Sequence, residues 1–189
     1  MDEWEIALQA KNILLIGHNL NYITKNFESF FRNFLFKKNG ILRLLIINRE
    51  NKELLKTISH GVMESSSTEP DFNSFYDIIT NFRKELPDDQ KYRINLRTIN
   101  YVPTLSFQII DGDQPNGTIL VELTPNKIKV SERPHFILHA NNDAHKIWYQ
   151  KFLNNCEEMF KSEEERINNR DMSETNKDKM AIPWKWPEY

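Results

Sequence analysis

The sequence predicts an α/β fold in which helices flank both faces of a mixed β-sheet of about six strands. Two short runs, 13–16 and Ile41–Ile47, are apolar on both faces with Arg43 as the only interruption, as is typical of central strands covered on both sides. A segment with helical periodicity separates them, so we expect a parallel pair joined by a crossover. Two further apolar runs, Leu105–Ile110 and Thr118–Leu123, flank a turn rich in Gly, Asp, Pro and Asn. They predict an antiparallel hairpin.

Composition limits the classes of protein to which the chain can belong. The net charge of its 189 residues is -2, which argues against a general nucleic-acid binder because such proteins carry a strongly basic face. The single cysteine excludes an intramolecular disulfide and a cysteine-rich zinc site. No apolar run approaches the length of a membrane span, and residues 1–11 do not resemble a secretory signal. We therefore expect a cytoplasmic protein with a domain at 1–162 and an appendage at 163–189.

The first half of the chain alternates predicted helices and strands. Residues 2–11 have one apolar side, and Gly17 ends the first strand. The helix that follows ends at Asn39-Gly40, where the pair predicts a C-cap. Its apolar stripe consists of Ile23, Phe27, Phe30, Phe31, Phe34 and Leu35.

Two more helices and a strand precede the hairpin. The helices cover 51–62 and the residues after the loop 64–70, in which Ser67 or Thr68 can cap the second one. Residues 92–99 alternate, so we expect a half-exposed strand in which Arg93 and Arg97 lie on the solvated face. The side chains expected on its inner face are Tyr92, Ile94, Leu96 and Thr98.

A last strand and a long helix complete the predicted domain. The strand is His135–His139, and the helix is expected to begin near Asn142 and Asp143, which are good capping residues. From residue 162 the composition becomes polar, which predicts a solvated extension of the helix that frays into a linker. The predicted buried stripe of the helix is Trp148, Phe152, Cys156, Met159 and Phe160.

Polar residues follow two strands that are expected to be neighbours in the sheet. His18 and Asn19 follow the first strand, and Asn48 and Arg49 follow the second. Because ligands of parallel-sheet proteins gather at the carboxyl ends of strands, these four side chains suit a phosphate or a nucleotide. The alternative is that Asn19 or Asn21 caps the next helix and His18 is merely exposed.

The order of these elements resembles one repeat of the phospholipase D-like superfamily over residues 3–161. The signature of that family is His-x-Lys-x4-Asp, on a strand that ends in the Asp. Here the corresponding pattern is Thr104-x-Ser106-x4-Asp111, so the spacing is kept while the histidine and the lysine are replaced. Two further segments resemble patterns of the family. Gly17-His18-Asn19-Leu20 is similar to the turn after its first strand, and Ile41–Ile47 is similar to its next strand.

The resemblance implies a module without catalytic activity. In the family, the histidine is the phosphoryl-accepting nucleophile and the lysine neutralises the phosphate. A threonine hydroxyl is a poor nucleophile without an activating base, and a serine carries no charge. A degenerate single repeat of this kind implies a bacterial regulatory or defence-associated protein that senses a ligand or binds a partner. Since active members pair two repeats, the resemblance also implies a homodimer formed through the degenerate-site face.

Two other functions remain open at this stage. The first is a metal-independent phosphodiesterase or nuclease with a rearranged site that uses His18 or another histidine. A triad of Ser106, His18 and Asp111 can be drawn, although nothing in the sequence places these three groups together. The second is an adaptor that binds a protein partner through the aromatic tail Trp184, Trp186 and Tyr189. The chain contains no H-E-x-x-H motif and no phosphate-binding glycine loop, so we expect neither a metal site nor a cofactor.

Overall fold

The computed structural model describes residues 9–18, 20, 28–61, 69–123 and 133–173. These residues form one six-stranded mixed sheet, which confirms the predicted α/β fold. In chain order the strands are β1 (Asn12–Gly17), β2 (Ile41–Ile47), β3 (Ile94–Ile99), β4 (Leu105–Ile110), β5 (Thr118–Leu123) and β6 (His135–His139). Their order across the sheet is β3-β2-β1-β4-β5-β6. Strands β1, β2 and β3 are parallel, and β4, β5 and β6 add to them as an antiparallel series.

Helices cover both faces of the sheet. In chain order they are α1 (Glu28–Arg32), continued by a π-helix (Asn33–Lys37), then α2 (Lys52–Gly61), α3 (Glu69–Glu85), a 3₁₀-helix (Asp88–Arg93) and α4 (Lys146–Ser173). One apolar cluster joins α1, the π-helix and α3 to one face of the sheet, and a second joins α2 and α4 to the other. This arrangement confirms that the apolar runs of β1 and β2 are central strands, because each is covered on both sides.

Asn39, and not Gly40, adopts the left-handed conformation that ends the first helical segment. Asn39 has φ 55°, and the structure gives no described glycine a positive φ. Gly40 is required for a different reason. A Cβ atom on it would lie 2.3 Å from the ring of the buried Phe34, so only glycine fits beneath that ring. The pair Asn39-Gly40 therefore follows the first helical segment, with Asn39 in the left-handed conformation and Gly40 beneath the Phe34 ring.

The two arginines near β3 are buried, so the predicted solvated face was wrong. Arg97 is 7 % exposed, donates to the Phe160 carbonyl oxygen, and lies 4.0 Å from the centroid of that residue's ring. Arg93 donates to the Leu35 carbonyl oxygen in the π-helix. Tyr92, which was expected on the inner face, is instead 69 % exposed. Helix α4 and the π-helix supply carbonyl acceptors to these guanidinium groups, and alternation within one strand does not reveal such distant partners.

On α4 the buried aromatic residue in the first turns is Tyr149 and not Trp148. Trp148 is 59 % exposed, whereas the Tyr149 hydroxyl donates to the Gly112 carbonyl oxygen at 2.8 Å in the β4–β5 turn. Burial raises the pKa of Tyr149 to about 12. Helix α4 begins at Lys146, a few residues after the predicted capping residues. The contact of Tyr149 with the β4–β5 turn identifies the side of its first turns that faces inward.

Several predictions fall on residues outside the described ranges. They are most of the helix at 2–11, the caps at Ser67 and Thr68, and the aromatic tail with Trp184, Trp186 and Tyr189. Helix α4 continues through residue 162 to Ser173. Among the described helices, none combines the length and apolar character that crossing a membrane requires.

Candidate functional site

The six strands and the segments beside them bring polar side chains to one edge of the sheet, which we call the carboxyl edge. The parallel strands β1, β2 and β3 end there, and so does β5. Strands β4 and β6 begin there because they run in the opposite direction. In sheets with parallel strands, ligands bind in the crevice at such an edge. This edge is therefore the candidate functional site.

His18, directly after β1, is buried at the carboxyl edge. It is 4 % exposed, and its Nε2 lies 2.7 Å from the Pro103 carbonyl oxygen. A carbonyl oxygen only accepts, so Nε2 carries the proton and Nδ1 is the acceptor in the neutral ring. Burial lowers the pKa of His18, and the positive charge of Arg133 lowers it further. The expectation that His18 is merely exposed was wrong, because Pro103 and the surrounding chain enclose it.

Asn48 and two other asparagines form a hydrogen-bonded group where β2 and β3 end. The side-chain oxygen of Asn100 accepts from the amides of Asn48 at 3.2 Å and Asn51 at 3.4 Å. The side-chain oxygens of Asn48 and Asn51 accept backbone N–H groups before and within the first turn of α2. These groups hold the loop between β2 and α2 in place and act as its caps.

Arg49 lies beside this group and stacks on an aromatic ring. Its guanidinium carbon lies 4.6 Å from the centroid of Tyr76, whose hydroxyl donates to the Ile47 carbonyl oxygen at 3.2 Å. Nε of Arg49 donates to the Glu50 carboxylate at 3.2 Å. Both side chains of this ion pair are exposed to solvent, so the pair adds little stability. Arg49 is thus a cation held by stacking at the rim of the carboxyl edge.

Thr104 and Ser106, at the positions of the missing histidine and lysine, also lie at the carboxyl edge. They are at the start of β4, next to the end of β1. A Cβ atom on Gly17 would lie 3.4 Å from the Ser106 hydroxyl oxygen, so Ser106 faces the backbone just before His18. Across the other ladder, Ser106 pairs with Glu122 of β5.

Asp111 lies at the opposite end of β4, away from the other predicted site residues. Five residues of extended strand separate it from Ser106, a span of about 17 Å. Its carboxylate accepts the backbone N–H groups of Lys11 at 2.9 Å and Asn12 at 2.8 Å, and its φ is 46°. Asp111 therefore fixes the start of β1. A Ser106–His18–Asp111 triad does not form, and Asn19 lies outside the described residues.

An arginine that the sequence did not single out is a largely buried cation at the carboxyl edge. The Arg133 side chain is 9 % exposed, and its Nη1 donates to the Glu122 carboxylate at 2.9 Å. Its Nε is buried and has no hydrogen-bond partner within the described part of the chain. A buried N–H group without a partner costs about 1–3 kcal/mol, so such a group calls for an explanation.

We call His18, Ser106, Glu122 and Arg133 the carboxyl-edge cluster. It contains one fixed cation, one carboxylate, one hydroxyl and one neutral imidazole. Such groups can hold an anion, since a guanidinium presents five donors in a planar fork that suits phosphate or carboxylate. A catalytic nucleophile would need a base within hydrogen-bond reach, and no contact between the Ser106 hydroxyl and a base is found among the described residues.

At the opposite edge of the sheet lies a groove of about 850 Å³. Its floor contains the bidentate ion pair between Arg43 and Glu157, with distances of 2.7 and 2.8 Å. Nε of Arg43 also donates to Asn12 at 3.3 Å. Arg43 in this groove is thus bound by both carboxylate oxygens of Glu157 and by the amide oxygen of Asn12. At the carboxyl edge, by contrast, Arg133 contacts one oxygen of Glu122.

Comparisons with protein-family models, curated proteins and solved structures find no match for this chain. Within the described residues, no group of three or more His, Cys, Asp or Glu side chains is placed to hold a metal ion.

Sequence reasoning overlooked Glu122 and Arg133. Glu122 is the one charged residue in the apolar run Thr118–Leu123, and Arg133 precedes the proline that opens β6. A lone carboxylate in an otherwise buried strand is a usable signal, because buried charges are paired. The identity of its partner was not accessible, since Arg133 lies eleven residues away, beyond the end of β5.

Proposed function

We propose that the protein is a catalytically inactive phospholipase D-like module that senses an anionic ligand at its carboxyl edge. The ligand class is a phosphate or a nucleotide. One observation carries the proposal. Arg133 is nine-tenths buried at the carboxyl ends of the strands, has a single carboxylate partner, and keeps a buried Nε without a partner among the described residues. A phosphate oxygen would satisfy the unspent donors of such a guanidinium.

The lack of catalysis is supported by the chemistry of the neighbouring groups. Thr104 and Ser106 stand where the resembled family has its nucleophile and its lysine. His18 is neutral and donates from Nε2 to Pro103, so it supplies no positive charge to a phosphoryl group. Positioning and electrostatic stabilisation account for most of phosphoryl-transfer catalysis, and here the cluster offers one arginine partly neutralised by Glu122.

Arrangement as a homodimer through the carboxyl edge is part of the same proposal. It is supported by the resemblance, in which two repeats face each other. A dimer of this kind would place two copies of Arg133 on either side of one ligand. Sedimentation equilibrium of the wild-type chain and of Thr104→Arg, which adds a bulky charge at that face, tests it. A monomeric wild type would refute the arrangement.

Thermal melting tests the ligand-sensing proposal. A ligand that binds the native state at a concentration of 100 Kd stabilises it by about 2.7 kcal/mol, which corresponds to several degrees. We expect a shift with at least one compound among inorganic phosphate, nucleoside phosphates and cyclic nucleotides. Arg133→Gln should remove the shift, because glutamine keeps polarity but loses the charge.

A matched control is available in the exposed Arg83. It lies in the last turn of α3, before β3 begins, and hence at the edge opposite to the cluster. Arg83→Gln should leave the ligand shift unchanged. If no compound shifts the melting temperature of the wild type, or if Arg83→Gln removes the shift as effectively as Arg133→Gln, the proposal is wrong.

The enzyme alternative is tested with the same preparations. A chromogenic phosphodiester, incubated with the protein in a chelating buffer, should show no turnover above background. Turnover that persists in the chelator and disappears in His18→Ala would establish a rearranged phosphodiesterase site. That result would contradict the proposed lack of catalysis.

A further inference from the structure

The Arg133–Glu122 pair places an internal anion at the position proposed for the ligand. Glu122 contacts Arg133 through one oxygen, Oε1, which accepts from Nη1 at 2.9 Å. This single contact contrasts with the pair of Arg43 and Glu157 at the opposite edge, where both carboxylate oxygens accept from the guanidinium. Arg133 is thus held by a weaker arrangement than the chain forms elsewhere, since bidentate pairs are the stronger ones.

The surroundings of Glu122 keep its carboxylate close to the guanidinium. The Glu122 side chain is 18 % exposed, and the residue pairs with Ser106 on one side and His135 on the other. Strand β5 is an inner strand of the sheet and pairs with β4 on one side and β6 on the other. The backbone of Glu122 is therefore held in place. An anion that binds the remaining donors of Arg133 therefore shares the guanidinium with Glu122 and lies near a carboxylate that stays in place.

We infer that Glu122 sets the affinity and charge preference of the anion site by competing with the ligand for Arg133. The inference rests on the proposed function, since it concerns the same site. Neutralising Glu122 should strengthen binding of any anion. Because Coulomb repulsion grows in proportion to the charge of the ligand, the gain should be larger for a dianion than for a monoanion.

The test compares two small probes that differ by one methyl group and one charge. Methyl phosphate is largely a dianion at pH 8, and dimethyl phosphate is a monoanion. Glu122→Gln should bind methyl phosphate about tenfold more tightly than the wild type, a difference of about 1.4 kcal/mol. For dimethyl phosphate we expect about a threefold gain, which is the square root of that factor because the repulsion is halved. Titration calorimetry measures both.

Two controls separate competition from a change in folding. Glutamine keeps an oxygen that can accept from Arg133 but leaves a buried guanidinium without its counter-charge, so Glu122→Gln should melt below the wild type without ligand, and both affinities are measured at a temperature at which both proteins are folded. Glu157→Gln neutralises the matched pair at the opposite edge and should change neither affinity. A purely structural role of Glu122 would alter the melting temperature and would not produce a gain that depends on the charge of the probe.

The possible failures are distinguishable. If the wild type binds methyl phosphate and Glu122→Gln binds both probes with unchanged affinity, the competition is refuted while the proposed function stands. If neither protein binds either probe at millimolar concentration, the anion site itself is refuted, and the inference with it. Equal gains in affinity for both probes would contradict the charge preference. Glu122 would then compete with the anion only for the hydrogen-bond donors of Arg133.

Discussion

The ring of His18 and the carbonyl group of Pro103 are joined by a 2.7 Å hydrogen bond between residues 85 positions apart in the chain. This bond connects the end of β1 to the segment that leads into β4. It assigns the proton of the neutral ring to Nε2, because the carbonyl oxygen can only accept. The bond stabilises the carboxyl edge, while burial, which lowers the pKa of His18, favours the neutral ring beside Arg133.

Protonation of His18 should make the fold pH-sensitive. Burial lowers the pKa of His18 below 6.5 in the native state, so below that pH the unfolded chain binds the proton more readily than the native chain does. The stability contributed by the neutral ring is complete above pH 6.5 and is lost as the pH falls toward the native pKa. Urea unfolding should therefore give a lower free energy of unfolding at pH 5.5 than at pH 7.5.

The comparison with His18→Gln isolates this contribution. Glutamine can still donate to the Pro103 carbonyl oxygen, but it does not titrate. The variant should lose less stability than the wild type between pH 7.5 and pH 5.5. Equal losses in the two proteins would show that other groups cause the pH dependence.

Asp111 should matter for stability and not for ligand binding. Asp111→Ala removes the acceptor for two backbone N–H groups and places alanine at φ 46°. We expect a loss of about 1–3 kcal/mol in the free energy of unfolding. Asp111→Asn keeps one oxygen and tolerates this backbone conformation, so it should lose less. A weaker ligand response in either variant while it is still folded would contradict the placement of Asp111 outside the site.

Arg97 should behave as a core residue. Its guanidinium donates to the Phe160 carbonyl oxygen and lies on the Phe160 ring, so Arg97→Ala removes a charged hydrogen bond and packing at once. We expect a loss of about 1.5–3 kcal/mol, measured by chemical unfolding. The exposed Arg83→Ala should change stability by less than about 0.5 kcal/mol. Similar small effects for both would restore the idea of a solvated strand face.

Gly40→Ala should destabilise the packing of the first helical segment on the sheet. The added Cβ would lie 2.3 Å from the Phe34 ring, which is buried and cannot move away freely. Overpacking of this kind costs about 1–3 kcal/mol. Phe34→Leu combined with Gly40→Ala should recover part of the loss if the clash is the cause. No loss in the single variant would show that the ring adjusts without cost.

The strands were the most predictable part of the fold. The apolar runs predicted strands Ile41–Ile47, Leu105–Ile110, Thr118–Leu123 and His135–His139 with the bounds that the structure shows. Each of these strands is flanked by turn residues or by proline, and alternation or continuous apolarity then fixes the register of burial. Local pattern was sufficient wherever the side chains are apolar.

Buried polar residues were the part that local pattern could not predict. Arg97 was assigned to the surface because exposed charge is the default, and its acceptor lies 63 residues away on α4. Arg133 and Glu122 were overlooked because their pairing depends on where β6 enters the sheet. Asp111 was placed in a site by analogy of spacing, whereas the antiparallel direction of β4 puts it at the opposite edge. Each error concerns a partner distant in sequence.

The side-chain NMR signal of the Arg133 Nε–Hε group reports directly on whether an anion binds at the carboxyl edge. In ¹⁵N-labelled protein this signal is assigned by its absence in Arg133→Lys, and methyl phosphate is then titrated at constant pH and ionic strength. We expect a saturable shift of this signal, because the buried Nε gains a hydrogen-bond partner when the anion binds. An Arg133 signal that stays in place up to millimolar methyl phosphate would contradict the anion site at the carboxyl edge.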